Sequence, residues 1–284
     1  MAGRLGAVTL TLVVLGNCQA ESLRLLLDAD DVVSQRLPPV FELTAADVAP
    51  LQELLARTDL FVAQPVGDDY RGLPVGTRQL VAHLPPGART ALVPPVRYAG
   101  LHPYHLLVHP PGLEKPDPPV APYHDVRTIL AAAGLPPLPP LTVSAVRAVA
   151  EASVAELARR EAVHDTVRVS DLLAAPVADS MRTINHPGNT VLEPLAARVR
   201  SALGLPPRPP GVRRPLLTSI HAPLLPEVVA AHALSASPTS VWTVDGEPVT
   251  TDAVTAAHRQ WYAARPEMLA AALERAAPLV DLLR

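Results

Sequence analysis

The sequence predicts an α/β fold: an open parallel β-sheet with flanking helices and extra helices toward the C-terminus. Three observations predict it. Through the first hundred residues, short apolar runs alternate with amphipathic segments, the pattern of a parallel sheet covered by helices. The first of these runs, ending in Leu12-Val13-Val14-Leu15, is apolar on both faces, as a buried parallel strand requires. From about residue 142 the strand signals thin out and long helical periodicities take over. With 49% hydrophobic residues among 284, the chain can build a sizeable core, and it reads as a single α/β domain over 1–284 with a helical C-terminal portion.

The elements follow in order. Residues 5–15 read as the first strand. The same stretch, after Arg4 and before Cys18, has the outline of a signal peptide with a lipoprotein processing site. A charged region of one arginine, and Asn17 where such sites prefer a small side chain, argue for the strand. Residues 21–27 read as a helix, and Pro39–Leu43 as a second short strand. Residues 44–57 carry Val48, Leu51, Leu54 and Leu55 at helical spacing. Asp59–Gln64 is a third strand closed by Pro65, Thr77–Leu84 a short helix, and Thr90–Val93 a fourth strand closed by Pro94-Pro95. Helices over 142–163 and 189–203 place Val146, Ala150 and Leu157, then Leu192, Leu195 and Val199, on single faces. Asp245-Gly246 centres a hairpin over 240–250. Residues 251–264 and 267–283 form two terminal helices, with Pro266 suited to a first helical turn. The proline-rich stretches 135–140 and 205–210 are connections.

Composition narrows the chemistry. A net charge of −3 without a basic stripe speaks against nucleic acid as a partner. No apolar run is long enough for a transmembrane helix, so no stable membrane insertion is expected. One cysteine forms no internal disulfide and no multi-cysteine zinc site, which fits a reducing, cytoplasmic setting. No metal-ligand spacing and no phosphate-binding glycine fingerprint occur.

In an open parallel sheet, ligands bind beyond the carboxyl ends of the strands. The first strand delivers Gly16-Asn17-Cys18-Gln19 there. The third delivers Gln64-Pro65 and then Asp68-Asp69-Tyr70-Arg71, and the fourth Arg97-Tyr98 followed by His102. Cys18 at a helix start meets the positive end of the helix dipole, which favours the thiolate. Nearby backbone N–H groups suit an oxyanion, and Asn17 and Gln19 carry amide donors. Otherwise Cys18 is a small buried apolar side chain. A cysteine nucleophile takes a base, and His186, held on a turn by Pro187-Gly188 beside Asn185, has the best setting among ten histidines. His102 and His105, with Tyr98 and Tyr104, mark a candidate binding loop.

Taken jointly, Gly16-Asn17-Cys18-Gln19, Gln64-Pro65, Asp68-Asp69-Tyr70-Arg71, Pro94-Pro95-Val96-Arg97-Tyr98 and Asn185-His186-Pro187 resemble the WcbI family of polysaccharide-biosynthesis proteins, over roughly residues 8–200. The resemblance implies acyl transfer, most simply of acetyl, from a coenzyme A thioester to a hydroxyl of a saccharide or related metabolite. Cys18, His186, Asn17 and Gln19 would then be catalytic. Gly16, Gln64, Asp69, Tyr70, Arg71, Arg97, Tyr98, His102 and Asn185 would contact coenzyme A. More distantly, the order is similar to that of the SGNH hydrolases, with a flavodoxin-like sheet. The aspartate those enzymes place three residues before the histidine is Thr183 here, which leaves Asp179 and Asp69 as orienters of His186. Hydrolysis by a thioesterase or carbohydrate esterase, and non-catalytic binding within a biosynthetic cluster, are the competing functions. Homo-oligomerisation is left open.

Overall fold

A computed structural model describes residues 9–110, 112 and 117–284. Along the chain, β1 (Leu10–Leu15) is followed by α1 (Cys18–Leu27), β2 (Val32–Gln35) and α2 (Ala45–Leu55). Next come β3 (Leu60–Ala63), α3 (Thr77–Val81), β4 (Arg89–Leu92), β5 (His105–Leu106) and β6 (His124–Asp125). Then follow α4 (Val126–Ala132), α5 (Val143–His164), β7 (Met181–Thr183), β8 (His186–Pro187) and α6 (Asn189–Ala202). The last are β9 (Ile220–His221), α7 (Pro226–His232), β10 (Val241–Val244), β11 (Glu247–Thr250), α8 (Thr251–Ala263) and α9 (Pro266–Leu283). Two compact units divide the chain. The first comprises the described residues up to Val96, with Leu157–Ser170 and Asn189–Leu216; the second comprises those of Arg97–Glu156, Asp171–Gly188 and Leu217–Arg284.

The first unit holds the parallel sheet, in the order β2-β1-β3-β4. Leu12, Val13, Val14 and Leu15 are buried, as are all four residues of β3, so the central strands are apolar on both faces as expected. Residues 5–8 of the expected first strand lie outside the described residues; Leu10–Leu15 form it. One face of the sheet packs Val13, Leu15, Phe61 and Ala63 against Leu51, Leu55 and Leu80. Helix α6 packs on α1, burying Leu192, Leu195 and Val199. The outer edge of β4 is met by Val167, whose N–H donates to Leu92 O at 2.7 Å.

Two expectations need correction. The second strand is Val32–Gln35, and Val40–Glu42 is one turn of 3-10 helix. Pro38 and Pro39 just before Val40 offer no N–H to a ladder, and Val40 and Leu43 turn into the core while Phe41 stays exposed. The first helix also begins earlier than residue 21, at Cys18, because Asn17 caps it: Asn17 Oδ1 accepts from Gln19 N at 2.9 Å.

The second unit is built from α4, α7, α8, α9 and most of α5, together with three small antiparallel sheets. Its main core gathers Val126, Ile129, Tyr262, Met268, Ala272 and Ala276. A second cluster joins Tyr123, Ile184, Ala222, Trp242 and Val254. The hairpin and the two terminal helices fall where the sequence places them. Among the described residues no helix is long and apolar enough to cross a membrane.

Candidate functional site

The order β2-β1-β3-β4 places the topological switch point at the carboxyl ends of β1 and β3, because the chain turns from β1 to β2 on one side and reaches β3 on the other. The residues leaving those two strands are Gly16-Asn17-Cys18-Gln19 and Gln64-Pro65. Hydrogen bonds join them. Gln64 Oε1 accepts from Asn17 N at 2.8 Å, and Gln64 Nε2 donates to Gln19 Oε1 at 3.2 Å. Gln19 also grips the segment after β4: its Nε2 donates to Val96 O at 2.8 Å and its Oε1 accepts from Val96 N at 2.9 Å. The ends of β1, β3 and β4 are thereby tied by two buried amide side chains.

The tie explains Gly16. A Cβ there would stand 2.7 Å from Gln64 Oε1, so only glycine lets the glutamine cross the turn. It also changes the part Gln19 can play. Both ends of its amide are engaged within the protein, and its backbone N–H is taken by Asn17. Ala20 N donates to Asn17 O at 2.9 Å. By contrast, Asn17 Nδ2 has no partner among the described residues, and the Oδ1 bond fixes which way the amide faces. Cys18 is half-buried and occupies the first position of α1.

Asp69 and Arg71, on the loop after β3, both adopt left-handed backbone, with φ of 53° and 55°. Asp69 Oδ1 accepts from Gln79 Nε2 at 2.8 Å, and Arg71 Nη1 donates to Phe41 O at 3.1 Å. Tyr70 between them is half-buried.

Arg97, Tyr98, His102, Asn185 and His186 belong to the second unit. Arg97 is exposed, whereas Tyr98 is 1% exposed and its hydroxyl has no partner. Burial raises the Tyr98 pKa, so it stays a phenol. His186 sits on β8 beside β7. Arg182 of β7 pairs with Asp179 at 2.8 Å and donates to Pro187 O at 3.4 Å, holding this hairpin. Burial lowers the His186 pKa to about 4, and the Arg182 guanidinium and His221 push the same way, so the ring is neutral near pH 7. Its Nδ1 has no hydrogen-bond partner. Neither Asp179 nor Asp69 is hydrogen-bonded to that nitrogen.

An aromatic series surrounds this hairpin; the sequence points to its histidines but not to Tyr123 and Trp242, which join them. The Tyr123 ring meets His186 edge-on at 6.2 Å between centroids and stacks with Trp242 at 6.1 Å. Trp242 stacks on His105 at 4.8 Å, and His105 on His102 at 5.9 Å. The Tyr123 hydroxyl donates to Asn185 Oδ1 at 2.8 Å, with Thr183 Oγ1 2.8 Å away. Burial keeps both inner histidines neutral, lowering the pKa of His102 to about 4 and of His105 to about 3. The one available signal was the run Tyr123-His124-Asp125, three polar or aromatic residues ahead of a helix. A cavity of about 460 Å³ opens against this series, lined by His102, Tyr104, His105, Arg127 and Trp242 among others. No three His, Cys, Asp or Glu side chains are placed to hold a metal among the described residues.

Comparison with known proteins adds three findings. Residues 11–208 match the model of a family described as polysaccharide biosynthesis enzyme WcbI. A solved structure of WcbI, described as a novel polysaccharide biosynthesis enzyme in its native form without a disulfide bond between coenzyme A and a cysteine, is similar over 94% of this chain and 99% of that one. The TM-score is 0.72 and the sequence identity 21%. Among curated proteins none matches.

Proposed function

Because the chain belongs to the WcbI family of polysaccharide biosynthesis enzymes, we propose that it transfers an acyl group from a coenzyme A thioester to a saccharide hydroxyl, with Cys18 as the nucleophile. The observation that carries this reading is the position of Cys18: first residue of α1, at the switch point of the parallel sheet. The solved relative, whose description couples coenzyme A with a cysteine, supports the choice of donor.

In this reading the Cys18 thiolate attacks the thioester carbonyl carbon. The carbon–sulfur bond to coenzyme A breaks, and coenzyme A leaves as its thiol after taking up a proton. The acceptor hydroxyl then attacks acyl-Cys18, loses its proton to a base, and releases the Cys18 thiolate. Asn17 Nδ2 stabilises the tetrahedral oxyanion, since the Gln19 donors are engaged elsewhere. Gln19, Gln64 and Gly16 shape the turn. His186 is the proton acceptor. Its lowered pKa keeps it in the neutral form a base needs but makes it a weak base, so its contribution falls at the low end of the usual range, near 10²-fold. Arg71 and Arg97 are phosphate contacts, for which the guanidinium fork is suited. Asp69, Tyr70 and Asn185 complete the coenzyme A assignment, whereas Tyr98 and His102, at 1% and 4% exposure, are too buried for direct contact with it.

Intact-protein mass spectrometry after incubation with acetyl-coenzyme A tests the nucleophile. The expected result is an added acetyl mass on the wild type and none on Cys18→Ala. An adduct on both proteins, or full transfer activity in Cys18→Ser, rules the covalent route out. Product analysis with and without a saccharide distinguishes ester formation from release of free acetate.

A further inference from the structure

The cavity of about 460 Å³ in the second unit lies within the range of small-molecule sites, roughly 300–1,000 Å³. Its walls combine two kinds of surface. Pro103 and Pro223, with the small exposed parts of Trp242 (2%) and Tyr104 (7%), supply apolar wall. Ser240, Thr250, Thr251 and Asp252 supply oxygen atoms at the start of α8 and on the strand ends before it. Among the described residues, the Ser240 hydroxyl and the Asp252 carboxylate have no protein partner, and both residues are exposed.

Charge decides against an anionic occupant. The one cationic side chain of the lining, Arg127, is already neutralised: its Nη2 lies 2.5 Å and its Nε 3.0 Å from the oxygens of Asp125. Its guanidinium also sits 4.1 Å from the Tyr104 ring centroid, which leaves the planar group fixed and Nη1 available as a donor. Both lining histidines are neutral, and Asp252 adds a negative charge. A phosphate would find no excess positive charge here. An uncharged ring with apolar faces and hydroxyls at its edge finds an apolar wall, an oriented guanidinium and free oxygen acceptors together.

We propose that this cavity is a carbohydrate-binding subsite that holds an uncharged sugar ring of the saccharide. The proposal rests on the acyl-transfer reading, for which it locates the acceptor. The ring series from Trp242 through Tyr123, which meets His186 edge-on, places the cavity wall one ring away from the proposed proton acceptor.

Saturation-transfer NMR on the full chain tests it, with the methyl α-glycosides of glucose, galactose and mannose as probes. At least one glycoside is expected to receive saturation from the wild type. Asp252→Ala combined with Ser240→Ala, two exposed changes, is expected to weaken that glycoside about tenfold, the loss of two modest hydrogen bonds. Trp242→Phe, which keeps a ring in the core, should weaken it less. No saturation transfer to any of the three, or transfer that the double variant leaves unchanged, overturns the subsite. The measurement needs neither coenzyme A nor turnover. Failure of acyl transfer therefore leaves the subsite standing, and failure of glycoside binding leaves the Cys18 adduct standing.

Discussion

Asn17 does two jobs with one amide, and substitution can separate them. Its Oδ1 caps α1 through Gln19 N, while its Nδ2 is unengaged. Aspartate keeps the capping oxygen, and its charge suits a helix N-terminus, but it has no donor to give. Asn17→Asp is therefore expected to unfold within a few tenths of a kcal/mol of the wild type while transfer slows about 10²- to 10³-fold, the usual cost of one oxyanion donor. Asn17→Ala is expected to lose about 1 kcal/mol as well, because the cap goes too. Paired thermal melts and initial rates check both variants; equal rates for Asn17→Asp and wild type would remove Asn17 from catalysis. The roles of Gln19 and Asn17 could not be separated in the sequence. Two adjacent amides look alike as letters, and only the direction each side chain takes, Gln19 inward to Val96, separates wall from donor.

At the scale of elements, the connection after α5 hangs on one carboxylate. Glu161 is 7% exposed; its oxygens accept from Val169 N at 2.7 Å, Ser170 N at 2.8 Å and Ser170 Oγ at 2.6 Å. Glu161→Ala strands two backbone donors in the interior, at a cost of about 1–3 kcal/mol for each. The expected loss exceeds about 2 kcal/mol in urea unfolding, with Glu161→Gln, which keeps one acceptor oxygen, losing less. Among the elements themselves, those legible in the sequence were the ones buried on a whole face. β3 is apolar throughout and β1 from Leu12 onward, and α6 carries its buried residues at regular spacing. β2 escaped because it is an edge strand with Val33 exposed and Ser34 and Gln35 polar, so no alternation marks it. The Pro39–Leu43 run, apolar but for Glu42, drew the strand assignment instead. The strands β5 to β8 escaped because two or three residues show no period, yet they hold His105, Asp125 and His186 in place.

Over the whole molecule, buried neutral histidines set the response to acid. In the unfolded chain a histidine binds its proton near pH 6.5. Folded, His102 and His186 do so only near pH 4, and His105 near 3. Between about 6.5 and 4 the unfolded state thus holds more protons than the native one, and stability falls as pH falls. Each of the three adds a slope of up to about 1.4 kcal/mol per pH unit in that window, and none above about pH 7. Urea unfolding across pH 8 to 4.5 measures it. A flat profile there would mean that these rings are solvated and charged.

The division of the chain into two interleaved units carries a consequence for how the protein is made. The polypeptide passes from one unit to the other five times, after Val96, Glu156, Ser170, Gly188 and Leu216. A ribosome delivering the chain from its N-terminus lays down the whole parallel sheet first. The α6 face that shields α1 arrives only about a hundred residues later, with Asn189–Leu216. Until then the face of α1 that α6 covers waits open in the nascent chain, exposed to chaperones and to other chains. Neither unit can be cut out as one continuous gene fragment, and α9, made after both units have been started, closes the core of the second.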